Sequence, residues 1–348
     1  MTEWRVSAFR GRVALALPVR GLAALAVLLL TLAALMASSV AFGTIDLDLT
    51  ETMRALVGTS TGRAAMIAGE LRLPRALTAL MAGGLLAISG ALLQGATRNP
   101  LADPALVGIS QGAGLAVVAA TILAPGLSEV WRMPAAFAGG VGTAGIILLL
   151  AERGGAAEPL RFLLIGLGLA AFLAAATTAL LTYGGLSDAH AALAWLSGSV
   201  RAAGWGDVRL LGMATLAALV ICAASARPLA ALGIGDDLAA TLGHRPARAR
   251  AGLLIGAVAL ASASVAVVGP IAFVGLLAPH AATRLARCGP GMHLTLCWAL
   301  GGALTCGADL VGRIAFDPVQ IPAGLVSALV GAPLFALLMM RVMRKDIE

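Results

Sequence analysis

The sequence predicts an all-α, polytopic membrane protein with about ten transmembrane helices. Three observations lead there. Of its 348 residues, 60% are hydrophobic and 12% charged, where a soluble domain carries about 25% charged residues. The apolar residues gather in runs close to the roughly 20 that a helix needs to cross a hydrocarbon core of about 30 Å. The 43 glycines, many paired as in Gly83-Gly84, Gly139-Gly140 and Gly301-Gly302, suit helices that approach closely where lipid supplies no hydrophobic push. The chain reads as one transmembrane domain over 1–348, with no separate soluble unit.

The first span covers 21–42. Its apolar run from Leu22 to Val40 is longer than the 7–15 residues of a signal-peptide core, so an uncleaved first helix is expected despite the small residues Ala37-Ser38-Ser39. The second, 76–94, lies between two polar blocks, E-L-R-L-P-R (Glu70 to Arg75) and Q-G-A-T-R-N-P-L-A-D-P (Gln94 to Pro104). Arginines opening an apolar helix are costly unless they meet water or a partner. Further spans are expected at 105–124, 134–151, 161–183, 207–226, 251–269, 271–286, 293–309 and 321–341. The segments 271–286 and 293–309 are short for full crossings, and Gly269-Pro270 is consistent either with a turn between two spans, 251–269 and 271–286, or with one broken helix.

Arginine and lysine set the orientation. With a cytoplasmic N-terminus, sixteen of the 24 Lys and Arg residues fall inside and eight outside. Arg72, Arg75, Arg132, Arg201 and Arg313 are then outer; Arg98, Arg245, Arg248, Arg250 and Arg284 are inner. Both termini lie inside.

Other classes are excluded on residue type. The net charge of +7 comes with only 4% aromatic residues, so the stacking platforms of nucleic-acid binding are missing. The cysteines (Cys222, Cys288, Cys297, Cys306) form no C-x-x-C pair and the four histidines are scattered, so no metal site is expected. Lys345 is the sole lysine, so the G-x-x-x-x-G-K-[ST] loop that binds nucleotide phosphates cannot form. If ATP drives this protein, another chain hydrolyses it. The fifth span offers only Thr177, Thr178 and Thr182 as hydroxyls before Tyr183, and no intramembrane carboxylate or lysine is expected to relay protons. An ion-coupled secondary transporter, which would place such a group near the midplane, is thereby disfavoured.

Four blocks resemble the FecCD/BtuC family of ABC importer permeases, which take up ferric siderophores, haem and vitamin B12. They are Leu71 to Gly114, L-G-I-G-D-D-L-A-A-T-L-G (Leu232 to Gly243), G-P-I-A-F-V-G-L-L-A-P-H (Gly269 to His280), and A-D-L-V-G-R with I-P-A-G-L-V-S-A-L-V-G-A-P-L-F (within Ala308 to Phe335). The resemblance implies a type II ABC importer permease in a bacterial inner membrane. It implies pairing with a second copy or a paralogue, two ATPase subunits that hold ATP and Mg, and a periplasmic substrate-binding protein. No cofactor is implied in this chain. The substrate implied is a ferric siderophore, with haem or cobalamin as alternatives.

Site residues follow from the resemblance. Arg72, Arg75 and Arg313 match the positions that dock acidic residues of the binding protein, and guanidinium forks suit carboxylates. Helix-end anchoring is the competing reading, and Asp309, four residues before Arg313, offers that arginine an intrachain pair. Leu232, Gly235, Asp236, Asp237, Leu238, Leu242 and Gly243, within a cytoplasmic segment 228–250, match the coupling helix that sits in the ATPase groove. Asn99 and Leu101 match a cytoplasmic gate, while Pro100 and Pro104 also make the stretch a rigid corner. Pro159 and Leu160 occupy the place of a second inner gate that in the family carries small hydroxyl residues. A further departure is Gln320, where the family has glutamate; that variant resembles the hydroxamate-siderophore permeases.

Overall fold

The computed structural model describes residues 3–8, 13–43, 50, 54, 62–105, 107–124, 126, 128–152, 159–316 and 318–345. Glu3–Ala8 pairs antiparallel with Val13–Pro18, Glu3 opposite Pro18. Among the described residues, everything else of regular structure is helical. The helices are α1 (Val19–Ala41), α2 (Leu73–Thr97), α3 (Ile109–Leu123), α4 (Arg132–Glu152), α5 (Pro159–Tyr183), α6 (Leu186–Leu196), α7 (Trp205–Gly233), α8 (Asp236–Thr241), α9 (Pro246–Val268), α10 (Val274–Leu285), α11 (Pro290–Ile314) and α12 (Ala323–Lys345). A helical turn at Arg63–Ala65 and a π-helical stretch, Met66–Arg72, lead into α2.

All ten expected segments contain a helix. Seven are long and apolar enough to cross a membrane; Ile109–Leu123 and the apolar Ala323–Leu337 of α12 are shorter. The segment expected as a span at 271–286 is corrected most. Its helix, α10, has 12 residues and rises about 18 Å at 1.5 Å per residue, too little to cross alone. Gly269 at φ 72° and Phe273 in the left-handed region at φ 66° hold the stretch between α9 and α10 out of helix, and Pro270 lacks the N–H that a helix would use.

Non-helical backbone survives at membrane depth only where protein covers it. Here neighbouring loops do so: the Ser199 N–H donates to Val268 O at 2.8 Å and the Gly324 N–H to Gly198 O at 2.9 Å. Gly198, at φ 67°, sits so close to Pro270 that a Cβ there would overlap its carbonyl.

The centre of the bundle is α2, whose apolar window is 89% buried. It packs against α7, α9, α10 and α11. Small residues make this possible: a Cβ on Gly83 would overlap the Gly301 carbonyl of α11, and one on Gly90 the Gly275 carbonyl of α10. Hydroxyls add cross-links, with Ser89 Oγ donating to Ala257 O at 2.6 Å and Ser264 Oγ to Ala82 O at 3.0 Å. By contrast α5 packs on α3 and α4 and leaves Leu164, Leu167 and Phe172 more than half exposed. The short α6 had no counterpart in the sequence reading, because its apolar residues Leu186 and Leu193 remain exposed and leave no clean periodic stripe.

Candidate functional site

Two clusters of charge lie at opposite ends of α2. At its Leu73 end, Arg72, Arg75 and Arg313 come together as expected, but not as free forks. All three are buried. Arg72 Nη1 donates to Val40 O at 2.9 Å and Ala41 O at 2.7 Å, tying the end of α1. Arg75 takes Asp309 with two nitrogens, Nη2 to Oδ1 at 2.7 Å and Nε to Oδ1 and Oδ2 at 3.0 and 3.1 Å, and donates to Gln320 Oε1 at 3.0 Å. Arg313 Nη2 donates to the carbonyl and hydroxyl of Ser39.

Three expectations are corrected here. The arginines do not present exposed guanidiniums, because carbonyls of α1 and one carboxylate occupy them. Asp309 pairs with Arg75 across the bundle rather than with Arg313 one turn away. A spanning helix does hold a buried carboxylate, Asp309 itself, already neutralised by an arginine. Gln320 has a plain physical role in this cluster, as a neutral acceptor for Arg75.

At the Thr97 end, α8 is flanked by Gly235 at φ 109° and Gly243 at φ 84°, conformations that other residues adopt only with strain. Between them Asp236 is the anchor. Its carboxylate bridges Arg98 Nη2 and Arg250 Nη2, the latter at 3.0 Å. Arg98, itself left-handed at φ 50° as the C-cap of α2, also donates through Nε to Leu232 O at 2.9 Å. Arg250 Nε donates to Ala96 O at 2.9 Å, filling one of the open carbonyls at the end of α2.

The expected apolar trio splits. Leu232 is buried and faces the bundle, whereas Leu238 and Leu242 are 53% and 63% exposed. Ile234, at the C-cap of α7 and 49% exposed, adds a third exposed apolar side chain beside α8 and was missed in the sequence. Asp237 is exposed.

The N-P-L-A-D-P stretch is a corner of two successive Asx turns. Asn99 Oδ1 accepts from the Leu101 N–H at 2.9 Å and Asp103 Oδ1 from the Ala105 N–H at 2.8 Å. Asp103, absent from the expected site residues, is its keystone. It is fully buried and also accepts from the Leu276 N–H at the start of α10, an amide it shares with the Phe273 carbonyl at 3.2 Å. Burial pushes its pKa up to about 6, against the pull of those two amides. Gln94 Nε2 completes the junction by donating to Ala102 O and Gly275 O at 3.2 and 3.3 Å. The corner is therefore pinned at both ends, which favours a rigid strut over a swinging gate for Asn99, Pro100 and Leu101. Pro159 and Leu160 open α5; their side chains, like the preceding Glu158, lie outside the described residues.

The chain matches the description "FecCD transport family" over residues 28–341. It belongs to that family. Among relatives of this FecCD permease, the achromobactin transport system permease protein CbrC of Dickeya dadantii is 38% identical over 314 residues, covering 90% of each chain. The Fe(3+) dicitrate transport system permease protein FecD of Escherichia coli is 39% identical over 276 residues, 78% of this chain and 85% of that one. A solved ABC transporter of metal-chelate type, in an inward-facing conformation, superposes with a TM-score of 0.80 at 27% identity, covering 91% of this chain and 98% of its own. Among the described residues no cluster of His, Cys, Asp and Glu is arranged to hold a metal ion.

Proposed function

We propose that this FecCD permease is the membrane subunit of an ATP-driven importer that carries a ferric siderophore from periplasm to cytoplasm. It sits in the bacterial inner membrane with the Thr97 end of α2 inside. A second permease copy or a paralogue completes the pathway, two ATPase subunits bind ATP and Mg, and a binding protein delivers the chelate from outside. The Fe(3+) dicitrate in the name of FecD and the metal-chelate type of the superposed transporter support that cargo over haem or cobalamin.

One observation carries the reading: three exposed apolar side chains, Leu238 on α8 with Ile234 just before it and Leu242 at its C-cap, gathered around a short helix anchored through Asp236. Exposed apolar side chains grouped in this way suit a groove on a partner. The anchors define what its movement does. Displacing α8 pulls Arg98 and Arg250, which hold the end of α2. From there the Asn99–Asp103 corner reaches the start of α10 through Asp103 and Gln94. A push from an ATPase thus arrives at the interrupted α9–α10 segment by a continuous chain of hydrogen bonds and ion pairs.

At the other end, the three arginines outnumber Asp309, the one carboxylate seen with them among the described residues. We assign the docking role of Arg72, Arg75 and Arg313 to the field of that cluster, which attracts an acidic partner over several ångströms without direct contact. The test of the reading is purification. The full chain, expressed from its native operon, should bring down an ATPase bearing a phosphate-binding loop, and Leu238→Glu should release it. Recovery of the chain without any ATPase under mild detergent contradicts the proposal.

A further inference from the structure

The two helices that carry α8 enclose a groove on the outside of the bundle. Ile221, Ala224 and Pro228 of α7 form one wall, and Arg248, Gly252 and Ala259 of α9 the other, around a volume of about 330 Å³. The lining is apolar apart from Ser225 and Arg248. Arg248 lies in the first turn of α9, at the end that carries α8. From Arg248 to Ala259 the helix rises about 16 Å at 1.5 Å per residue, close to half of a hydrocarbon core of about 30 Å. The groove is therefore one leaflet deep, with a cation at its mouth. Arg227, beside Pro228, and Arg245, at the N-cap of α9, are exposed next to that mouth, as is Arg248. Among the described residues none of the three takes part in an ion pair.

Charge, depth and polarity together select the occupant. A soluble peptide cannot reach an apolar slot inside the bilayer, and water gains nothing from apolar walls. An acyl chain gains by leaving no void between two helices, and basic mouths between transmembrane helices suit anionic headgroups. We propose that this groove binds an acyl chain of an anionic phospholipid, with the lipid phosphate on Arg248. The lipid fills the wedge between α7 and α9 and so steadies the hairpin whose tip is α8. It ties coupling to membrane composition.

The proposal needs only that α7 and α9 cross the membrane, so it stands or falls independently of the cargo and the ATPase. The full chain, with the subunits that accompany it, is placed in nanodiscs holding equal palmitoyl-oleoyl phosphatidylglycerol and phosphatidylcholine. It is then extracted into detergent, and retained lipid per chain is counted by mass spectrometry. Phosphatidylglycerol should be enriched about fivefold over phosphatidylcholine, the scale of one basic residue at a headgroup. Arg248→Gln should abolish the enrichment while lipid is still retained. Gly252→Leu, whose new side chain enters space with no atom near its Cβ, should displace lipid of both kinds, and Ala224→Leu from the opposite wall should do the same. Equal retention of the two lipids by the native chain overturns the headgroup assignment. Unchanged retention in both groove-filling variants overturns the groove. Release of phosphatidylglycerol by millimolar inorganic phosphate alone identifies a free-phosphate site and overturns the lipid.

Discussion

Arg75 of α2 and Asp309 of α11, 234 residues apart, form a buried two-pronged ion pair that closes one end of the bundle. Each has few other means of satisfying its charge at that depth. Breaking such a pair by removing one partner strands the other, at a cost of roughly 3–5 kcal/mol. Asp309→Asn and Arg75→Ala should each lower the thermal unfolding midpoint in detergent sharply. Arg75→Met with Asp309→Leu should recover most of the loss. Equal loss in single and double variants would show that packing, not charge, holds this end.

At the opposite end the same reasoning predicts a different outcome. The Asp236 side chain is 41% exposed, as is that of its partner Arg98, so that pair contributes about 1 kcal/mol or less to stability; the more buried Arg250, 10% exposed, keeps the Ala96 carbonyl as an acceptor when Asp236 is neutralised. Asp236→Asn should leave the unfolding midpoint within a few degrees of native while cutting transport per ATP hydrolysed by about tenfold, the scale of a lost coupling of roughly 1.4 kcal/mol. Both quantities are read in the same reconstituted vesicles. A variant with native coupling would remove Asp236 from the transmission path.

Asp103 should impose a pH dependence. Its folded pKa, about 6, stands above the ordinary value of 3.8 because burial penalises its charge. Its contribution is complete below the ordinary value and is lost as pH rises through about 6. The shift corresponds to roughly 3 kcal/mol. The unfolding midpoint should therefore fall between about pH 4 and 6.5, and Asp103→Asn, which keeps an acceptor for the Ala105 and Leu276 amides, should flatten that slope. An identical slope in Asp103→Asn would exclude this carboxyl as its source.

These three residues also show what a single sequence reveals. The span positions were legible because apolar length alone specifies a membrane helix, and the π-helical approach to α2 altered none of them. The break after Val268 was foreshadowed by Gly269-Pro270, although the left-handed Phe273 carries no sequence mark. The arginine cluster was legible as a convergence and illegible as a geometry. Nothing local tells that carbonyls of Val40 and Ala41 absorb Arg72, or that Asp309 prefers a partner across the bundle over one a turn away. Asp103 and Arg98 were passed over because their partners, Leu276 and Asp236, lie more than a hundred residues along the chain. Leu232 was read with Leu238 and Leu242 because spacing shows periodicity but not which face meets protein.

The packing of α2 gives a fourth expectation. Gly83→Leu and Gly90→Val each place side-chain atoms where α11 and α10 present backbone, which cannot yield as a flexible side chain would. Both should lower the yield of folded protein in membranes, whereas Gly142→Leu, with no atom near its added Cβ, should not. Normal folding of Gly90→Val would mean that α10 can move away from α2 without cost.

For the field assigned to the outer cluster, Arg72→Gln should slow association of the binding protein at low ionic strength and leave it unchanged near 1 M salt, where the screening length is about 3 Å. An equal deficit at both salt concentrations would indicate direct contact instead.

The central claim is ATP-driven import through a FecCD permease whose ATPase is a separate subunit. It is tested most directly by uptake of a radiolabelled ferric chelate into vesicles that contain the permease, its ATPase and the binding protein. The account predicts uptake that requires ATP, survives a protonophore, and is lost in Leu238→Glu. Uptake that proceeds without the ATPase and collapses with the protonophore would contradict it.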